Sequence, residues 1–85
     1  MTEAKTEQAS ALARASMLRM ATTWQSLGQI NQASDVYLRL LKKHPETREA
    51  EESRERLLQL AARFEQSGRF RLAMGLYDEI DEACR

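Results

Sequence analysis

The stretch Trp24 to Pro45, "WQSLGQINQASDVYLRLLKKHP", sets a glycine in the middle of strongly helix-forming sequence, and the same setting returns forty residues later. There "FEQSGRFRLAMGLYDEI", Phe64 to Ile80, carries Gly68 where the first stretch carries Gly28. A glycine inside a helix costs about 1 kcal/mol relative to alanine, whereas just past a helix end it takes the left-handed turn at little cost. Recurrence in register makes the second role the better reading. Gly28 and Gly68 punctuate a unit that occurs twice.

The apolar residues on either side agree. Ala13, Met17, Met20, Trp24 and Leu27 recur at steps of three and four, which places them on one helix face that must be buried. After Gly28 the stripe restarts in a new phase as Ile30, Ala33, Tyr37, Leu40 and Leu41 and stops at "KKHP". Pro45 cannot continue a helix that needs its amide, and Lys42, Lys43 and His44 suit the negative end of the helix dipole. Pro45 can instead open a third helix at its first position, with Glu46 and Glu49 in the acid-favouring first turn. The third stripe is Ala50, Leu57, Leu60, Ala61 and Phe64, and the fourth is Phe70, Ala73, Leu76, Tyr77 and Ile80. No segment alternates as a strand would. The reading is an all-α chain of four antiparallel helices, at roughly 5–27, 31–44, 46–67 and 71–84.

The two halves are copies at an offset of forty. Met17 aligns with Leu57, Met20 with Leu60, Ala21 with Ala61, Trp24 with Phe64, Ile30 with Phe70, Ala33 with Ala73, Tyr37 with Tyr77 and Leu40 with Ile80. The large members fill the space between helices, and the alanines let neighbouring backbones approach. The pattern W-x3-G-x-I-x2-A-x3-Y-x2-L-L-x3-P from Trp24 to Pro45 resembles the second half of a tetratricopeptide repeat, and Arg14 to Thr47 spans one whole unit of about 34 residues. A second copy runs from Arg54 onward through Leu57, Leu60, Ala61, Phe64, Gly68, Phe70, Ala73 and Tyr77. The resemblance implies one domain over residues 1–85, with units at about 14–47 and 54–85, built as two stacked helix-turn-helix hairpins.

This chain departs from that pattern in its period. Forty residues exceed the usual repeat by about six, nearly two helical turns, which "ETREAEESRE" must absorb by lengthening the third helix. It also departs in number, since such stacks usually hold about three or more units and a polar cap. Two units leave apolar faces without neighbours, so self-association or packing on a larger protein is expected, with Met74, Leu76 and Ile80 sharing a short helix with Phe70 and Tyr77.

Proteins of this kind bind peptides or helices along a groove lined by the first helix of each unit. Carried over by position, that surface is Ala15, Leu18, Thr22 and Gln25, then Glu55, Leu58, Ala62 and Glu65. Co-chaperone members clamp a C-terminal carboxylate with basic residues and asparagines there. Leu18, Thr22, Leu58 and Ala62 stand at the matching places, and none carries charge. A groove with two leucines suits an apolar helix face or another copy of the chain. Leu18 and Leu58 can equally pack on the neighbouring unit, and both readings stay open.

Composition bounds the rest. At 85 residues the chain makes one small domain, able to bury about 60–65% of its unfolded surface. Thirteen basic residues balance thirteen acidic ones, which argues against nucleic acid and against an anionic membrane as partners, although Arg63, Arg69 and Arg71 form a local basic cluster. The first 45 residues are basic and the remainder acidic. Asp78, Glu79, Asp81 and Glu82 crowd a helix C-terminus, where acids are disfavoured, so a basic partner such as Arg39, Lys42 and Lys43 of another copy would relieve them.

Within "RLLKKHPETREAEESRER", Arg48, Glu52 and Arg56 stand at four-residue spacing, and such helix pairs contribute a few tenths of a kcal/mol each. Trp24, Phe64, Tyr37 and Tyr77 sit at core spacing and not as a base-stacking platform. His44 has no companion histidine and reads as part of a helix end, and Cys84 has no activating neighbour. No phosphate loop, metal spacing or nucleophile–base pair is present, so neither catalysis nor a cofactor is expected. The N-terminus lacks the apolar core of a signal peptide, and cytoplasmic location is the default expectation. Three function classes follow: an interaction module or adaptor binding another protein or peptide, a structural or assembly subunit of a larger complex, and, against the neutral charge, a helical nucleic-acid binder.

Overall fold

In the computed structural model, which describes the backbone of residues 2–85 and the side chains from Gln8 onward, the chain forms four α-helices and no strand among the described residues. They are α1 (Thr2–Ser26), α2 (Ile30–Lys43), α3 (Arg48–Gln66) and α4 (Phe70–Ala83). Each helix packs mainly on its neighbours in sequence, with lighter contact between α1 and α3 and between α2 and α4. Connections of three or four residues force consecutive helices to run antiparallel.

The glycine turns are built as the repeat predicts. Gly28 and Gly68 both have φ of +81°, the left-handed region that an L side chain enters only with strain. The Gln29 amide donates to the Trp24 carbonyl at 2.8 Å and the Gly28 amide to Gln25 at 3.1 Å. The second half repeats this with Arg69 on Phe64 at 2.8 Å and Gly68 on Glu65 at 3.0 Å. This paired pattern is the Schellman cap, which satisfies carbonyls that the helix end would otherwise leave open.

The turn at Pro45 differs from the sequence reading. Pro45 does not open α3; it follows His44, whose carbonyl accepts from both the Thr47 amide at 3.1 Å and the Thr47 hydroxyl at 2.7 Å. Pro45 thus takes the second place of a β-turn, for which its fixed φ is suited. The helix begins at Arg48 because the Thr47 hydroxyl also accepts from the Ala50 amide at 3.2 Å, an N-cap that satisfies one free donor. Glu49 and Glu51, not Glu46, occupy the first turn. Consequently α3, at 19 residues, is shorter than the 25-residue α1.

The core lies along the middle of the chain. Ala33, Tyr37, Leu40, Ala50, Leu57, Ala61 and Ala73 are fully enclosed, with Val36, Leu38, Leu41, Leu60, Leu76 and Ile80 nearly so. Full burial of a leucine-sized side chain contributes about 1.5–3 kcal/mol. Four residues assigned to the core by periodicity are instead exposed: Ala13, Met20, Leu27 and Phe70. Ala13 and Met20 lie on the outward face of α1, Leu27 just past its end and Phe70 on the outward face of α4, against which no other described helix packs.

The molecule is correspondingly long and thin. Its principal extents are 52 × 29 × 14 Å and its radius of gyration is 13.8 Å, against about 12 Å for a compact domain of this length. From Gln8 to Ala13 every side chain of α1 is exposed. A 3.1 Å ion pair from Arg14 to Glu49 then ties α1 to α3.

Candidate interaction surfaces

The eight residues predicted to line a groove divide between α1 and α3. Ala15, Leu18, Thr22 and Gln25 are half-buried on α1; on α3, Leu58 and Ala62 are half-buried while Glu55 and Glu65 are exposed. Leu18 and Leu58 both pack against the buried cluster, which is the bland alternative left open by sequence. Thr22 turns its hydroxyl back to the Arg19 carbonyl at 2.9 Å. A shallow depression between α1 and α3 is lined by Gln25, Gln59, Ala62, Arg63 and Gln66 and thus unites Gln25 with Ala62. Sequence does not single out Gln59 and Gln66, because a polar residue on a helix exterior carries no signal of its own.

Gln25 and Glu65 have a further task. The Tyr37 hydroxyl donates to Gln25 Oε1 and the Tyr77 hydroxyl to Glu65 Oε1, each at 2.7 Å. The forty-residue offset therefore holds at the level of single hydrogen bonds. Burial raises the Tyr37 pKa above its ordinary value, opposed by the nearby Arg56 guanidinium and reinforced by Glu52. Tyr77 is raised first by its bond to the Glu65 carboxylate, which would lose that proton on ionisation, and then by partial burial and the Glu65 charge.

Two other surfaces are apolar. A crease between α2 and α4 is lined by Ile30, Ser34, Leu38, Leu72, Gly75 and Leu76, with Asp35, Arg71 and Glu79 at its rim. It continues toward the helix ends, where Arg39, Lys42 and Lys43 of α2 stand around Glu79 of α4. The outward faces of α1 and α4 hold Leu12, Met20, Phe70 and Met74 exposed to solvent, with Leu27 exposed in the turn after α1. Periodicity assigns Met20, Leu27 and Phe70 to the interior, since it reports which face is apolar and not whether anything covers it.

The described residues hold no cluster of His, Cys, Asp or Glu suited to a metal ion. Cys84 is a free, exposed thiol at the end of α4. The ion pairs formed among the described residues are Arg14–Glu49 and Arg85–Asp81, so the four-spaced charges around Glu52 are solvated. No described helix is long and apolar enough to cross a membrane. Comparison with protein-family models, curated proteins and solved structures returned no match.

Proposed function

We propose that this chain is a non-enzymatic interaction module whose two helical hairpins stack as tetratricopeptide-like units and hold a helix or extended peptide against α1 and α3. One observation carries the reading: the same cap, the same tyrosine bond and the same buried alanine recur at an offset of forty. Repeated units of this sort build extended surfaces from few contact types. The depression around Gln25 and Ala62 lies between the first helices of the two units, where the resemblance puts the ligand.

Its amide side chains and small floor suit a peptide that brings both apolar and hydrogen-bonding groups. Selection of displayed helical peptides on the immobilised 85-residue chain tests this. Enriched binders should lose at least tenfold in affinity on Ala62→Arg, with the circular dichroism spectrum unchanged. Binders indifferent to that substitution, or none after selection, would sink the groove reading. A second reading, as a subunit of a larger assembly, is favoured by the apolar outer faces of α1 and α4.

A further inference from the structure

We propose that copies of this chain stack head to tail, the outward face of α4 in one copy docking on the outward face of α1 in the next and reproducing the chain's own contact between α2 and α3. This goes beyond the groove reading and uses different surfaces. The argument starts from the internal interface, where Ile30 at the start of α2 lines one hollow with Leu60 and Phe64 of α3, all three belonging to the same apolar cluster. Forty residues on, the counterpart of Ile30 is Phe70, which is 62% exposed. Forty residues back, the counterparts of Leu60 and Phe64 are Met20, 43% exposed, and half-buried Trp24. Both halves of the contact exist a second time, unpaired. Leu27, 69% exposed, extends the receiving surface beside them.

The next contact along the pair agrees. Tyr37 is fully enclosed, with its hydroxyl bonded to Gln25 of α1 and subject to the charges of Glu52 and Arg56 on α3. Its counterpart Tyr77 remains partly open on α4, and the residues that stand in the places of Glu52 and Arg56 on α1 are Leu12 and Ser16, both exposed. At these two places, where α3 carries charge, α1 carries none. Leu12, Ser16 and Met20 form one uncharged strip at four-residue spacing, apolar at both ends with a small hydroxyl between them, which nothing inside the described chain covers. A tyrosine, with an apolar ring and a polar tip, suits such a mixed surface. In the antiparallel sense of α2 on α3, Phe70 meets the Met20–Trp24 end and Tyr77 the Leu12–Ser16 end. About two helical turns separate the two contacts on each helix, so both can form at once.

Charge complementarity selects a second copy as the occupant. Within the chain, Arg39, Lys42 and Lys43 of α2 line one open hollow with the acidic Glu79 of α4, beyond ion-pair distance. The same relation carried across the junction sets Glu79 and Glu82 of one copy, the counterparts of Arg39 and Lys42, around Arg39 of the next. The signs are reversed and still opposite. The acids crowding the C-terminal end of α4, unfavourable there in isolation, thereby face a cation.

Such a contact joins two different patches, so it propagates instead of closing. The test uses that property. Sedimentation velocity on the 85-residue chain should show an average mass that rises with concentration. Phe70→Glu blocks the α4 face and Met20→Glu blocks the α1 face; each variant alone should be monomeric, with helicity retained because both side chains are exposed. Mixed in equal amounts they should form a dimer and nothing larger, since each supplies the face that the other lacks.

Should Met20→Glu lose helicity, Leu12→Glu, at a position 67% exposed, blocks the same face. A wild-type chain that stays monomeric at millimolar concentration overturns the proposal. So does a single variant that still dimerises, which would mean a symmetric contact, or a mixture that fails to dimerise. Ala62→Arg should leave all these masses unchanged, so failure of the groove and failure of the stack are read separately.

Discussion

Among single residues, the three glycines divide into two kinds. Gly28 and Gly68 stand at φ +81° with open space where a Cβ would go, so the cost of alanine there is that of the backbone alone. Each substitution should lower stability by about 1–2 kcal/mol in urea denaturation. Gly75, inside α4 and also facing open space, should behave oppositely, gaining about 0.5–1 kcal/mol as alanine. Equal effects at all three would refute this assignment.

Tyrosine ionisation probes the repeated bond. Both hydroxyls are raised above the ordinary value of 10.0, so the folded state holds these protons more tightly than the unfolded chain. The linked stability is fully present below that value and is lost as pH rises through the folded pKa values. Ultraviolet titration should find both tyrosinates forming late, and Glu65→Gln should move Tyr77 alone back toward its ordinary value. The second tyrosine is legible at sequence level as a repeat of the first. Its acceptor is not, because Gln25 and Glu65 differ in charge and only geometry shows that they receive the same donor.

For whole elements, α3 is the instructive case. Sequence reading places its start at Pro45, because proline favours the first helical position. The threonine two residues on competes for that role with a side chain that accepts from Ala50, and one satisfied amide outweighs a preset φ. Thr47→Ala should therefore cost about 1 kcal/mol by thermal denaturation and fray the first turn of α3. Little change would place the helix start elsewhere. All four helices, α3 included, begin and end within three residues of their sequence-based bounds, since Gly28, Gly68 and the "KKHP" stop are local signals.

At the scale of the whole molecule, the elongated form follows from how the helices are shared out. With each helix packed mainly on its sequence neighbours, α2 and α3 hold the interior and α1 and α4 each keep an apolar outer face. Leu57 and Leu60 on α3 are enclosed, whereas Met20, at the place of Leu60 on α1, is open to solvent. The pattern is the same and the burial opposite, because α3 has helices on both sides and α1 does not. If Arg39 meets the acids of a neighbouring copy, raising ionic strength should weaken the association, because screening shortens from about 10 Å at 0.1 M salt to about 3 Å at 1 M. Arg39→Glu should weaken it several-fold at low salt. Mass distributions indifferent to both changes would leave the apolar faces as the sole adhesive.

The sequence by itself determined the four helices, their glycine caps and the forty-residue repeat, because periodicity, left-handed turns and proline stops act over one or two helical turns. Only the tertiary structure decided which copies of a repeated apolar residue are covered, where Gln25 and Glu65 spend their acceptors, and that Thr47 begins α3. Gly28 looked the same as Gly68 in sequence and remains so in structure, since a backbone conformation is local. Met20 and Leu60 looked the same and are not, since burial is a property of neighbours that no single helix carries.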